Sequence, residues 1–169
     1  MRIPVFVSMP TDLSDAQAAS RKIVEKLLKE HGLEPRTLGQ SDYPDEYPLK
    51  EVYAIGRHCS GGVILGFEQV RVTAGIAKPG TAKERKIKAP YAVPTPWNHL
   101  EAGILFGLGL PLLIFREPQV TGGIFDAGVS DVFVQLMPDV AQGGNRVGLK
   151  EVVLKWQARV RQHYYRDVR

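Results

Sequence analysis

Five short apolar runs divide this chain, and segments with helical periodicity fall between most of them. Ile3 to Met9 is rich in β-branched residues and is stopped by Pro10, which predicts a buried first strand. Leu33 to Leu38 predicts a weak second strand, Gly62 to Phe67 a third, Leu110 to Phe115 a fourth and Val132 to Leu136 a fifth. The third run is apolar throughout, as in a strand buried on both faces. Ser14 with Gln17 has the form of a capping box. Behind it Ala16, Ala19, Ile23 and Leu27, with the parallel row Val24 and Leu28, repeat at helical spacing as far as Gly32. The first helix is expected over about Asp15 to His31. A second is expected over Leu49 to Cys59. A third runs from Trp97 to about Leu108, with Thr95 as N-cap and Pro96 at the first helical position. The last covers Gly148 to Val168, with Leu149, Val152, Val153, Trp156 and Val160 inward and Arg159, Arg161 and Arg166 outward.

Alternation of this kind favours a parallel sheet covered by helices on both faces. Right-handed crossovers leave few topologies. The expectation is a three-layer, flavodoxin-like α/β fold with five parallel strands in the order 2-1-3-4-5. The 169 residues fit one domain over 1–169, with a long basic loop at about 68–94 that shows no clear period.

Composition removes several function classes. The single cysteine, Cys59, excludes an intramolecular disulfide and a Cys-based zinc cluster. His31, His58, His99 and His163 lack metal-ligand spacing, so neither a metal nor a resident cofactor is expected. No apolar run approaches the ~20 residues that span a bilayer, and the N-terminus has no signal-peptide pattern, so a cytoplasmic protein is expected. The net charge of +4 is uneven: Arg71, Lys78, Lys83, Arg85, Lys86 and Lys88 stand against Glu84 alone, and that segment carries +5. The remainder sums to about −1, which argues against a general nucleic-acid binder and for a local anion site.

In open parallel sheets, ligands bind beyond the C-terminal strand ends near the point where strand order reverses. That criterion selects Ser8, Met9 and Pro10 after the first strand, Glu68 and Gln69 after the third, and the start of the Trp97 helix. Glu101 is the most informative residue there. It precedes AGILFGLGLPLLIF, a stretch without an ionisable side chain, and a helix with no polar face is expected to be buried. A carboxylate in that setting is paired, desolvated with a raised pKa, or open to a cleft. The competing reading is an ordinary acid near a helix N-terminus.

The segment PTPWNHLE, ending at Glu101 and followed by that apolar stretch, resembles the active-site helix of the nucleoside 2-deoxyribosyltransferase-like and TIR-like families. The deoxyribosyltransferase phrase is approximated by Glu101, Gly103, Leu105, Gly109 and Pro111, and the TIR-like phrase by Trp97 four residues before Glu101. The resemblance covers most of residues 3 to 136. It implies cleavage of an N-glycosidic bond to ribose or deoxyribose, with Glu101 facing the sugar as nucleophile or as stabiliser of an oxocarbenium-like charge. Two positions depart from the pattern. Thr95 stands where the deoxyribosyltransferases carry an aspartate, and Glu68 stands where an aspartate follows the third strand.

Each further candidate has a plain structural alternative. Asn98 binds a sugar hydroxyl or ligand amide, or else a helix-terminus backbone group. Trp97 covers a base or nicotinamide ring, or packs in the core. Ser8 contacts ribose or phosphate, or makes a strand-end turn bond. Tyr43 and Tyr47 close over a base, or sit in a solvated loop. Lys83, Arg85 and Lys86 bind a phosphate, or are a solvated charge run. His99 is read as a surface or interface residue and Asp126 as a turn residue. The Gly107–Gly109 pair ends a helix rather than starting one, so it is no dinucleotide fingerprint. Taken with the resemblance, these residues point to a small-molecule ligand, a nucleoside, nucleotide or NAD-like molecule, and to a homodimer or higher homo-oligomer. The alternative is a non-catalytic nucleotide-sensing or assembly module on the same fold.

Overall fold

The structure, a computed structural model, describes residues 2–38, 47–128, 133–139 and 146–167. The acidic loop at 40–46, with Tyr43, lies outside them, as do Val132 and Val168. In chain order the elements are β1 (Ile3–Ser8), α1 (Asp15–Glu30), β2 (Leu33–Arg36), α2 (Pro48–Arg57), β3 (Gly62–Gly66), β4 (Val70–Val72), β5 (Ile76–Ala77), β6 (Arg85–Lys86), β7 (Tyr91–Val93), α3 (Pro96–Gly107), β8 (Leu112–Arg116), a 3-10 turn at Gly123–Phe125, β9 (Phe133–Leu136) and α4 (Arg146–Asp167).

Five parallel strands form the main sheet in the order β2-β1-β3-β8-β9, the expected 2-1-3-4-5 pattern. Period-two alternation assigns its side chains to two cores. On one face Val5, Val7, Val63, Leu65, Leu113 and Phe115 meet Val24 and Leu28 of α1 and Val153, Trp156 and Val160 of α4. On the other, Phe6, Ile64, Leu112 and Ile114 meet Val52 of α2 and Ala102 and Leu105 of α3. Of the two α1 rows, Val24 and Leu28 face the core. The capping box forms: Ser14 Oγ accepts from Gln17 N (3.3 Å), and Gln17 Oε1 accepts from Ser14 N (3.1 Å). β8 starts at Leu112 rather than Leu110, because Leu110 N–H closes α3 onto Leu105 O (3.1 Å) and Pro111 has no N–H to give. Trp156 Nε1–H instead donates to Pro111 O (2.9 Å), which fastens α4 to this corner.

Two expectations are overturned. The 68–94 segment is not irregular: β4 pairs antiparallel with β7, and β5 with β6, so it forms a two-stranded ribbon. Ile87 N–H donates to Gly75 O (2.9 Å) between the ladders, and Glu84 accepts from Gly80 N (2.6 Å) across the end turn. Its strands are two or three residues long, too short to display a period in sequence. Nor is α3 buried all round. Its Asn98, Glu101, Ala102 and Leu105 face is buried, whereas Trp97, Leu100 and Phe106 are 41%, 48% and 61% exposed. Apolar composition therefore overstated burial within one chain.

Candidate active site

The order of the sheet reverses between β1 and β3, whose register places Ser8 beside Ile64. This is the crevice where such sheets bind ligands. Ser8 is the last residue of β1 and is buried. α3 arrives at the same edge with its N-terminus. Thr95 Oγ1 accepts from Trp97 N (3.4 Å), and Pro96 supplies the preset φ of a first helical residue. Asn98 and Glu101 lie three residues apart, on one helical face, and that face meets β1.

Two of these side chains are bonded to each other: Asn98 Nδ2–H donates to Ser8 Oγ at 2.7 Å. Asn98 is fully buried, and its Oδ1 has no protein partner among the described residues. The ion pairs among the described residues, Arg21–Glu25, Lys26–Glu30, Arg36–Glu34 and Arg71–Glu68, do not involve Glu101. Burial pushes the Glu101 pKa from 4.5 up to about 7, and the Ser8 side chain offsets part of the rise. A carboxyl group poised there exchanges its proton at neutral pH, so it can serve as an anion beside developing positive charge or as an acid.

The other candidates make no hydrogen bond to Ser8, Asn98 or Glu101 among the described residues. Pro10 is buried, and Met9 is half-buried against the α1/α4 core. Trp97 at 41% exposure is not a core residue, which removes that alternative and leaves its ring on the surface at the start of α3. Tyr47 is exposed. Lys83, Arg85 and Lys86 are exposed on the ribbon. Glu68 enters a separate cluster: its carboxylate pairs with Arg71 Nε at 2.7 Å, and its backbone N–H donates to Glu117 Oε2 at 2.5 Å. Gln17 Nε2–H donates to Glu117 Oε2 (3.1 Å) and to Glu68 O (3.3 Å), so the capping-box glutamine of α1 also fixes the loop after β3. Glu117 was not foreseen. Its only signal was its place just beyond the fourth strand, parallel to Glu68 beyond the third.

His99 turns away from Glu101, as i+2 spacing requires. Its ring packs edge-on against Phe125 at 5.4 Å between centroids. Phe125 in turn covers Gly66, where a side chain would collide with its ring. Asp126 is the expected turn residue: its Oδ1 accepts from Gly122 N (2.8 Å). Two surface clefts, one beside Arg2, Lys22 and Lys29 and one beside Pro4, Arg36 and His58, lie towards the N-terminal end of β1, away from Ser8.

No protein-family model and no curated protein matches this sequence. Solved structures do. A CMP N-glycosidase from Clostridium botulinum aligns with TM-score 0.52 and 13% identity, over 86% of this chain and 98% of its own. A 2-deoxyribosyltransferase from Bacillus psychrosaccharolyticus aligns with TM-score 0.46 and 13% identity, over 84% of this chain and 90% of its own. At this level of identity the first likeness is one of fold: the five-stranded sheet and its helices are an arrangement that a CMP N-glycosidase also uses.

Proposed function

We propose that this chain cleaves the N-glycosidic bond of a nucleoside, nucleotide or NAD-like molecule, by hydrolysis or by base transfer, with Glu101 as the catalytic residue. The observation that carries the reading is a buried carboxyl group with a pKa of about 7, on the helix face that Asn98 bonds to Ser8 at the switch point of the sheet. The likeness in fold to a CMP N-glycosidase supports it.

In the reaction, the bond from the anomeric carbon to the base nitrogen breaks and its electrons leave with the base. Positive charge develops on the sugar. The Glu101 carboxylate either bonds to the anomeric carbon or stabilises that charge, and water or a second base then takes up the sugar. A carboxylate on a helix packed into the sheet holds its position better than one on a loop. Ser8, Met9, Pro10, Asn98, Trp97 and Glu68 would line the ligand site, with Asn98 Oδ1 accepting from a sugar hydroxyl or ligand amide. Lys83, Arg85 and Lys86 would favour a phosphorylated ligand. Incubation with NAD and a panel of nucleosides and nucleotides, with released base as the readout, tests this. A wholly untouched panel would reject it.

One observation favours a sensor instead. Thr95, which stands at the position of the deoxyribosyltransferase aspartate, spends its side chain on capping α3. For a sensor, the same panel would stay intact while raising the melting temperature.

The assembly expected is a homodimer. Trp97, Leu100 and Phe106 leave an apolar surface on α3 that a second copy would cover. Light scattering at ~100 µM, far above the Kd of an ordinary specific interface, should give twice the chain mass. A monomer would reject the pairing.

A further inference from the structure

Taking the crevice between β1 and β3 as the ligand site, as proposed above, we infer that Gln17 and Glu117 are its positioning residues: their amide–carboxylate pair sets how far the loop after β1 stands from the loop after β3.

Those two loops carry candidate ligand contacts, Met9 and Pro10 on one and Glu68 on the other, and neither belongs to the five-stranded sheet. Side chains tie them together instead. Gln17 in the first turn of α1 holds the β1 side, because its Oε1 accepts from Ser14 N (3.1 Å). Its Nε2 reaches the β3 side, donating to Glu68 O (3.3 Å) and to the Glu117 carboxylate (3.1 Å to Oε2, 3.3 Å to Oε1). Glu117 is fixed in turn by donating its own N–H to Gly66 O (3.0 Å) and by accepting from Glu68 N (2.5 Å). A second crossing runs alongside, where Gln69 Nε2 donates to Asp12 O at 3.5 Å. α1 covers the face of the sheet opposite α3. The network therefore borders the crevice on the side away from Asn98 and Glu101.

The Gln17 amide fits only one way round. Reversed, it would turn its oxygen on three acceptors, the two Glu117 oxygens and Glu68 O, and its N–H groups on the Ser14 N–H. The capping box of α1 thus aims the bridge. The residue type agrees. A glutamate here would complete a capping box equally well, and its charge would suit a helix N-terminus better. It has no N–H to give, however, and would set a second carboxylate against Glu117. The ion pairs among the described residues do not involve Glu117, whose oxygens are met by the neutral N–H groups of Gln17 and the Glu68 peptide. The bridge requires glutamine at this position, whereas the helix does not.

Gln17→Glu separates the two roles, since it keeps the cap and breaks the bridge. In the full chain without ligand, NMR of the backbone amides should show the Glu68 N–H exchanging with solvent about tenfold faster, the scale of one lost hydrogen bond. Circular dichroism should be unchanged. In the base-release assay on NAD and the nucleoside and nucleotide panel, KM should rise about three- to tenfold with kcat nearly constant, because one wall of the site is displaced while Glu101 is not. Combining Gln17→Glu with Glu117→Gln exchanges amide and carboxylate across the same gap, and should return both exchange and KM towards the original values. If Gln17→Glu does not fold, Glu117→Gln alone makes the same comparison, because a neutral amide there cannot accept from both donors as the carboxylate does. Unchanged exchange and KM in the single variant, or a swapped pair no better than the single variant, overturns the proposal. A fall in kcat at constant KM also overturns it, since that would tie Gln17 to the reacting centre rather than to loop spacing. If no panel member is cleaved, the catalytic reading fails. The bridge is then upheld by exchange that quickens in the single variant and recovers in the swap, and overturned by exchange that does neither.

Discussion

Glu101 and Glu68 stand at the same edge of one sheet, yet their surroundings are opposites. Glu101 is 7% exposed on a helix packed into the core and makes no ion pair among the described residues, and its pKa is pushed up to about 7. Glu68 begins the loop after β3, has a side chain 22% exposed, and meets the cation Arg71 at 2.7 Å. The ribbon that follows extends this second environment, with its cations exposed. The contrast teaches that position at the ligand edge does not set a carboxylate's chemistry. Desolvation without a counter-charge does, because it keeps the proton available near neutral pH.

The largest expected effect is on rate. Glu101→Gln keeps the shape and hydrogen bonding of the side chain but removes its charge. Base release should fall at least ~10²-fold, the scale for deleting one electrostatic stabiliser, while circular dichroism stays unchanged. In the original protein the rate should rise as pH passes through about 7, since the carboxylate is the working form. A Glu101→Gln enzyme with undiminished turnover would erase the distinction between the two carboxylates.

The same substitution should stabilise the fold at neutral pH. Glu101 ionises near 4.5 in the unfolded chain and near 7 in the folded one. Between those values the unfolded chain holds fewer protons, so its share of the stability falls as pH rises and is lost above about 7. The shift corresponds to about 3 kcal/mol. Urea unfolding at pH 8 should therefore show Glu101→Gln more stable than the original protein, with the difference shrinking towards pH 4.5. Equal stability at both pH values would mean that Glu101 is not desolvated. Rate lost while stability is gained is the mark of a site held against the preference of the fold.

How legible these regions were in the sequence follows from length and period. The five sheet strands and four helices were readable because each repeats its pattern long enough to show it, and the capping signals at Ser14 and Thr95 fixed two helix starts. Glu101 was readable as a lone ionisable group before an apolar helix. The Asn98–Ser8 bond beside it was not: the two residues are ninety positions apart and meet only once β1 and α3 share an edge. The ribbon was missed because its strands are shorter than a detectable period. The outer face of α3 was misjudged because composition reports apolarity, not what covers it.

The ribbon should show a smaller effect than Glu101. Changing Lys83, Arg85 and Lys86 together to alanine should raise KM for a nucleotide by a few-fold to about tenfold, with kcat nearly unchanged, as for interactions made equally with ground and transition states. The matching unphosphorylated nucleoside should be indifferent. Added salt should shrink the difference, because exposed charges are screened beyond about 8–10 Å at physiological ionic strength. Equal losses for both ligands would show that the ribbon shapes the site rather than reading a phosphate.

Glu68 itself should have the smallest effect. Its bond to Arg71 is short, but Arg71 is 65% exposed, and such pairs contribute about 1 kcal/mol or less. Urea unfolding of Glu68→Gln and Arg71→Ala should each stay within about 1 kcal/mol of the original protein. The loop should keep its place in both, because the Glu68 peptide is held by Glu117 and Gln17 rather than by its carboxylate. If Glu68 lines the ligand site, Glu68→Gln should raise KM only a few-fold, since its charge is already half-answered by a cation and open to solvent. Its pH–rate profile should match that of the original protein, with the rise still at the Glu101 value of about 7. A ~10²-fold fall in kcat, or a displaced pH limb, would show that the two carboxylates act as one pair, and the separation drawn between buried centre and paired rim would fail.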